Sequence, residues 1–455
     1  KRSLNPEKVF FLHPLALPWI NSLHMLTVEI CLLRQLENWW QMRRSYFTKP
    51  ESSYYLILGS VIALTGLGLT MVLSASAVRA LHESGNSFAI VGKQLFFLAL
   101  SLPAAYAAMK LKPALWARVS NLALLLSFGF LVLPFVPGLG KTVNGNTNWI
   151  AFAGFTLQPS EFAKFGLIIW CAAKLNSYDK NLDKSFAQGS QTHVNNSFKF
   201  LWYLLPGFLA MELLILKGRD VGTAVIMMMI FAGILFIAGL PYRFMAITGG
   251  AAFAVLSALV VASSNRRSRF AALLNPFAEQ YYKGAGWQPA HSLMGLASGG
   301  LLGIGIGASK QKWGGLAEAH TDFIFSVIGE ELGLVGTLIV VLLFAVLLIS
   351  IFKIALGAPT TFERYATAGI GCWISMQVAI NMGSVLSLIP VAGVTLPLVS
   401  YGGSSLLSVY IALGFVLGVA RRTEPIRNAI LARRKPKSVR DSQVPVNQSL
   451  RDRSK

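Results

Sequence analysis

Apolar runs of roughly 20 residues, the length that crosses a ~30 Å hydrocarbon core, recur ten times along this chain. They fall at about 54–76, 87–109, 115–136, 159–175, 199–216, 221–240, 242–263, 322–351, 365–388 and 399–420. A segment in lipid must satisfy its own backbone groups, so each run is predicted to be helical. The expected fold class is all-α: a polytopic membrane protein with about ten transmembrane helices. Three polar breaks stand out. Residues 137–158 are rich in Gly and Asn around Trp149, residues 176–198 are rich in Ser, Asn and Lys, and residues 264–321 form the longest connection. Inside that long loop, Ser298–Ser309 alternates glycine with aliphatic residues. It reads as a re-entrant or surface-lying segment, which is tolerated where protein covers it. It lacks the Gly-Lys-Ser/Thr ending of a phosphate-binding loop. No soluble domain and no repeat of 20–50 residues is evident. The expected organisation is a poorly ordered cytoplasmic extension over 1–53, a transmembrane domain over 54–420 carrying the large loop 264–321, and a disordered basic tail over 421–455.

Composition supports this pattern. The 455 residues are 54% hydrophobic and 13% charged, with mean hydropathy +0.57. A net charge of +21 would suggest nucleic acid in a soluble protein, but no nucleic-acid motif accompanies it. The charge reads instead as topology. Residues 421–455 hold eleven Lys/Arg against three acids, which keeps both ends of a ten-span chain in the cytoplasm and lets the tail touch anionic lipid headgroups. Residues 137–158 and 264–321 then lie outside. The long outer loop nevertheless carries Arg266, Arg267, Arg269, Lys283, Lys310 and Lys312. Either a long loop escapes the charge rule, or these cations meet an anionic ligand. Cys31, Cys171 and Cys372 are far apart and no metal-ligand spacing occurs. No cleavable signal peptide pattern is present; residues 1–41 read as an extension upstream of a start near Met42.

The densest chemistry is Glu318-Ala-His-Thr-Asp-Phe-Ile-Phe-Ser-Val327, where two acids and an imidazole arrive as an apolar span begins. Asp322 there is either an N-cap, favoured by the helix dipole, or an ionised base at the membrane surface. Glu318 and His320 are its tuners or ordinary loop residues. Glu330 and Glu331 follow deeper in the same span and cannot share one face with Asp322. Glu161 and Lys164, three apart, can pair on one helix face, or Lys164 can hold a phosphate as a point charge. Arg219 and Asp220 can cap and snorkel in the link between spans five and six. Glu212 lies within span five and needs protonation or a partner. Asn381–Pro390 and Val399–Ser405 are rich in small and hydroxyl residues, suited to tight helix packing or to lining a polar ligand.

Together these residues resemble the SEDS family (shape, elongation, division and sporulation), the FtsW branch more than RodA, over roughly 54–420. The marks are Ser74-Ala-Ser76, Gln158-Pro-Ser-Glu-Phe-Ala-Lys164, Asp220-Val-Gly-Thr-Ala224, Gln311-Lys-Trp-Gly314, Glu318-Ala-His-Thr-Asp322, Gly329-Glu-Glu-Leu-Gly333 and Asn381 through Ser400-Tyr-Gly-Gly-Ser-Ser405. The resemblance implies a peptidoglycan glycosyltransferase that polymerises lipid II at the outer face of the bacterial cytoplasmic membrane, in cell division at the septum. It implies Asp322 as the catalytic residue. It matches Glu161 and Lys164 to residues the family needs, and the candidate substrate-binding set adds Lys312, Arg266, Arg269, Trp149, Gln158, Glu318, His320, Asp220, Ser400 and Ser404. The implied partners are a class B penicillin-binding protein, other division proteins, lipid II and membrane lipids, with no nucleic acid. No cofactor is fixed by the residues, and a divalent cation at the pyrophosphate is left open. The chain departs from the family's pattern at Asn148, where Arg is usual, at Gly218-Arg219, where Gln-Pro is usual, at His291 and at Ser387. The competing expectations are a lipid II flippase and a non-catalytic division scaffold.

Overall fold

The computed structural model describes residues 50–428 apart from 144, 153–154, 188–198, 241 and 425. The expected extension (all but its last four residues) and most of the basic tail lie outside the described residues. Helices occur at all ten expected positions: α1 (Pro50–Ser84), α2 (Ala89–Lys110), α3 (Pro113–Arg118) continued by α4 (Ser120–Val132), α5 (Pro159–Ala187), α6 (Lys199–Lys217), α7 (Val221–Ile237), α8 (Tyr242–Val261), and, after the long loop, α12 (Ile324–Leu356), α13 (Thr361–Val385) and α14 (Gly403–Arg422). The loop itself holds α9 (Ser264–Leu274), α10 (Glu279–Tyr282) and α11 (Trp287–Ser298). α1, α2, α12 and α14 are each long and apolar enough to cross a bilayer; α4 with its 3-10 extension, α7 and α8 are apolar but shorter. The fold is thus all-α in its bulk, as the periodicity predicts.

α5 is the central helix. Ala163 and every residue from Leu167 to Ala173 are buried, and it packs against α4, α13, α7 and α6. Lipid gives helices no hydrophobic reason to associate, so close approach through small residues matters. α14 lies along α2 in this way: a Cβ on Gly414 would meet the Ala105 carbonyl oxygen at 2.3 Å, and one on Gly418 would meet that of Met109 at 2.7 Å. Larger residues there would separate the pair.

Two features differ from the sequence expectation. The Gly/Asn-rich stretch 137–158 is not irregular. It forms a three-stranded antiparallel sheet, β1 (Gly140–Val143), β2 (Asn146–Phe152) and β3 (Phe155–Leu157), and the Thr147 amide ties it to the Gly218 carbonyl between α6 and α7 at 3.1 Å. The eighth span is not one continuous helix. Gly333 takes φ 68°, ψ −164° inside α12, a conformation open essentially to glycine alone. The Ser298–Ser309 segment repairs the break. Ile304 and Gly305 donate to the Glu330 and Glu331 carbonyls (3.0 and 3.1 Å), and Leu334 and Val335 donate to Gly300 and Leu301 (3.0 and 3.1 Å). The pairing lies nine residues into α12, about 13 Å along its axis, so the segment runs alongside the first turns of that helix.

Candidate active site

The polar residues of the spans collect at the end of the bundle where α5, α7, α12 and α14 begin. Asp220 is the N-cap of α7. Its carboxylate accepts from the Thr223 amide (3.0 Å) and hydroxyl (2.8 Å), from Asn148 Nδ2 on β2 (2.7 Å) and from Gln158 Nε2 (3.0 Å). The Gln158 amide in turn donates to Ser404 Oγ at 3.1 Å, joining sheet, α5, α7 and α14. One turn into α5, Lys164 is fully buried and donates to Glu161 (2.7 Å) and to Gln377 Oε1 on α13 (2.8 Å). Its ammonium lies 5.0 Å from the Trp373 ring centroid. Glu161 Oε2 has no partner among the described residues.

Asp322 is held differently. Asn381 Nδ2 donates to its backbone carbonyl (2.8 Å) and to that of Val394 (2.7 Å). Ser400 Oγ donates to the Thr321 carbonyl (2.6 Å), and the Tyr401 amide donates to the His320 carbonyl (2.9 Å). Gln94 steadies the same turn through the Ser400 carbonyl and the Gly402 amide, both at 3.2 Å. The backbone is clamped on every side, yet the Asp322 carboxylate accepts no hydrogen bond from any described residue and the side chain is only half-buried. It is not the helix cap either: α12 starts after Phe323, which caps it without a side-chain acceptor. The Gly393 backbone comes close, so that a Cβ there would lie 3.7 Å from Asp322 Oδ2.

The electrostatics follow from this setting. Burial, then the charges of Glu318 and Asp220, push the Asp322 carboxyl up to about 7, with Arg269 opposing. His320 is buried and lowered to about 4, first by desolvation, so it is a neutral ring, 5.5 Å from the Tyr401 ring. Glu318, which takes φ 58°, is partly desolvated, but Arg79 at 3.2 Å and His320 outweigh that and leave its pKa below the usual value.

The remaining expected residues are distributed unevenly. Arg269 on α9 donates to the Val391 carbonyl at 3.2 Å and faces the charge of Asp322. Arg266 is half-buried one turn earlier on the same helix. Lys312 belongs to the α12 break: it donates to the Gly307 carbonyl and lies 3.5 Å from both Ser74 Oγ and Glu331 Oε1. Trp149 is half-buried on β2 opposite Lys141, and strand alternation sends it to the other face from Asn148. Gln94, Gln377, Asn381 and Gly393 complete the site without having been singled out as binding residues. A lone amide inside an apolar span was the available signal for the first two. Among the described residues no group of three His, Cys, Asp or Glu converges on a metal position.

A ten-helix bundle with one polar mouth, roofed by a long loop and centred on an unengaged acid, defines a polytopic membrane protein with a site at one end. The chain belongs to the FtsW/RodA/SpoVE family of cell cycle proteins, whose model matches residues 54–425. It is 39% identical over 367 residues, 80% of this chain and 88% of the relative, to a protein of Thioalkalivibrio sulfidiphilus named probable peptidoglycan glycosyltransferase FtsW. It is 36% identical to stage V sporulation protein E of Bacillus subtilis, over 82% of this chain and 98% of that one. Among solved structures, a chain of a peptidoglycan synthase complex described as coordinating polymerization and crosslinking superposes with TM-score 0.64 at 27% identity, over 81% of this chain and 97% of that one. Rod shape determining protein RodA of Thermus thermophilus superposes with TM-score 0.58 at 26% identity, over 81% and 96%.

Proposed function

We propose that this chain is a peptidoglycan glycosyltransferase of cell division, polymerising lipid II at the outer face of the bacterial cytoplasmic membrane, at the septum. One observation carries the reading: Asp322 is gripped through its backbone while its carboxylate is left without a donor at the mouth of the bundle. An acid that no described residue engages and that solvent still reaches is available to take a proton. In the reaction, the 4-hydroxyl of an acceptor N-acetylglucosamine attacks the anomeric carbon of the donor muramic sugar with inversion. Asp322 receives the hydroxyl proton, and undecaprenyl pyrophosphate leaves with the bonding pair of the old glycosidic oxygen. A base whose pKa lies near the working pH is well matched to this task. Arg269 is the cation facing Asp322 and is assigned to the departing pyrophosphate, with Arg266 beside it. Lys164 is shared with Glu161 and Gln377 and is assigned to orienting the sugar phosphate. The outer ends of the spans hold the polyprenyl tails. The partner that crosslinks the product is a class B penicillin-binding protein, in line with the synthase complex that the fold matches.

The test is polymerisation of lipid II by the purified chain with and without that partner, comparing wild type with Asp322→Asn. Loss of about 10²–10⁴ in rate is expected; full activity overturns the base. One observation favours a second reading, a lipid II flippase. A spanning helix broken at Gly333 and paired there to a loop segment resembles the discontinuous helices of transporters. Translocation of labelled lipid II in liposomes, unaccompanied by polymer, would select it.

A further inference from the structure

Asp220 is a second acid at the mouth, and the mechanism above gives it no task. Its four hydrogen bonds come from neutral donors, and no salt bridge joins it to a cation among the described residues. Arg219, next to it in the chain, is exposed with φ 63°. Lys164 on α5 is within its field, but that ammonium is already shared between Glu161 and Gln377. Asn148, which stands where an Arg would supply a counter-charge, donates an amide instead. Every donor on Asp220 is thus neutral, and no ion pair with a described residue cancels its charge.

The backbone between it and Asp322 is thin. Two residues after Asp220, Gly222 abuts Ala392, so closely that a Cβ would meet the Ala392 carbonyl oxygen at 2.2 Å. The next residue, Gly393 (φ 69°), faces Asp322 Oδ2. Backbone contact thus runs from the first turn of α7 through Ala392 and Gly393 to Asp322, and no side chain stands on the glycine that meets the acid. The other groups facing Asp322 are Glu318 and His320 from its own loop and Arg269 from α9. Among the described residues, α13 and the turn before α14 present neutral Asn381 and Ser400. The charge of Asp220 is also felt by Glu212 on α6.

We propose that Asp220 is a positioning residue for the reaction: its charge acts on Asp322 across the bare turn at Gly393 and sets how strongly that carboxylate takes the acceptor proton. The pKa of Asp322 is raised in part by Asp220, in the direction this requires. Two like charges at one site drive their proton affinities apart. Asn148 belongs to the device, because its neutrality leaves the charge uncancelled.

The inference rests on Asp322 being the base, so the experiment carries three variants. The pH dependence of kcat/KM for lipid II polymerisation is measured for wild type, Asp220→Asn and Asn148→Arg, with Asp322→Asn alongside. Asparagine is itself a good helix cap, so Asp220→Asn keeps the α7 start and removes the charge. Asn148→Arg leaves Asp220 intact and brings a cation to it. Both variants are expected to move the acid limb of the profile down by on the order of one pH unit, with a few-fold lower plateau because the base is weaker. A uniform loss at every pH, or an unmoved limb in both, overturns the proposal and leaves Asp220 a cap. If Asp220→Asn fails to fold, the limb of Asn148→Arg decides alone. If Asp322→Asn polymerises normally, the reading of the base fails, whatever Asp220 does.

Discussion

Two groups of acids sit within ten residues of each other on the same stretch of chain, and the structure treats them in opposite ways. Around the Gly333 break every carboxylate is employed. Glu330 accepts from the Ser309 hydroxyl, the Lys310 amide (3.0 Å) and the Ser298 hydroxyl (3.4 Å). Glu331 accepts from Ser74 (2.7 and 2.8 Å) and the Ser309 amide (3.2 Å) and pairs with Lys312. These acids close a loop onto a broken helix. Asp322, at the mouth, accepts from no described residue. Buried polar groups cost stability unless they are bonded, so the first group reads as structure and the second as chemistry. The lesson concerns supply of donors: acids in one membrane helix differ in role according to what points at them, which no spacing rule reveals.

The sharpest way to break the contrast is to remove charge from the bare acid. Asp322→Asn should lose about 10²–10⁴ in polymerisation rate with an unchanged detergent melting curve near pH 4. A parallel fall in melting temperature at that pH would mean that Asp322 is one more structural acid.

Glu161 lies between the extremes, with one oxygen on Lys164 and the other free. Lys164→Met strands that carboxylate, and losing one partner of a buried pair costs about 3–5 kcal/mol. Adding Glu161→Leu removes the stranded charge and should recover most of the stability seen in denaturant titrations. Polymerisation should not recover with it, since the sugar phosphate then has no cation in the first turns of α5. Recovery of both would reduce the pair to a strut.

At the structural extreme, Gly333→Ala should act on stability alone. A Cβ there would lie 2.3 Å from the Gly303 nitrogen and 2.6 Å from the Leu301 oxygen, and the backbone angles are strained for any other residue, about 1–3 kcal/mol. Unfolding should shift by that amount or more, while the rate per folded molecule, scored by active-site titration, holds. A rate loss without a stability loss would tie the break to turnover and favour the transporter reading.

How much of this was legible in the sequence depended on the range of the interactions. The ten helices were visible because each is fixed by its own run of apolar residues. Asp322 was visible because an acid at the lip of a span is costly wherever it points. The sheet over Gly140–Leu157 was hidden: its pairing is local, but it is written in Asn, Thr and Gly, which also write loops. The α12 break was hidden for the opposite reason. Gly333 looks like any glycine until residues 300–305, some thirty positions earlier, return to fill its missing hydrogen bonds. Lys312 shows the cost of the same blindness, since its charge marked it for an anionic ligand while Glu331 in the break holds it. Gln94, Gln377 and Asn381 grip backbone across hundreds or tens of residues, which only the folded chain displays.

The smallest effect separates the two groups most cleanly, because it has a sign. A carboxyl raised from 3.8 to about 7 on folding binds its proton more tightly in the native state than in the unfolded one. Its contribution to stability is therefore fully present below pH 3.8 and is lost as pH rises towards 7. Asparagine has no such loss. Asp322→Asn should then match wild type near pH 4 and become the more stable protein as pH rises, with the gain levelling off above 7. Solvent reaches this half-buried side chain and screens it, so the gain should be on the order of 1 kcal/mol. His320 titrates in the same range with the opposite sense, neutral in the fold and protonated when unfolded below 6.5, but it is common to both proteins and cancels in the difference. An acid retained for structure cannot behave this way, since replacing Glu330 or Glu331 takes acceptors from Ser309, Lys310 or Ser74 and must destabilise. A mutation that abolishes turnover while strengthening the fold at pH 8 would mark Asp322 as a residue held against its own folding preference. A curve for Asp322→Asn that falls below wild type at pH 8 would place it with the glutamates of the break.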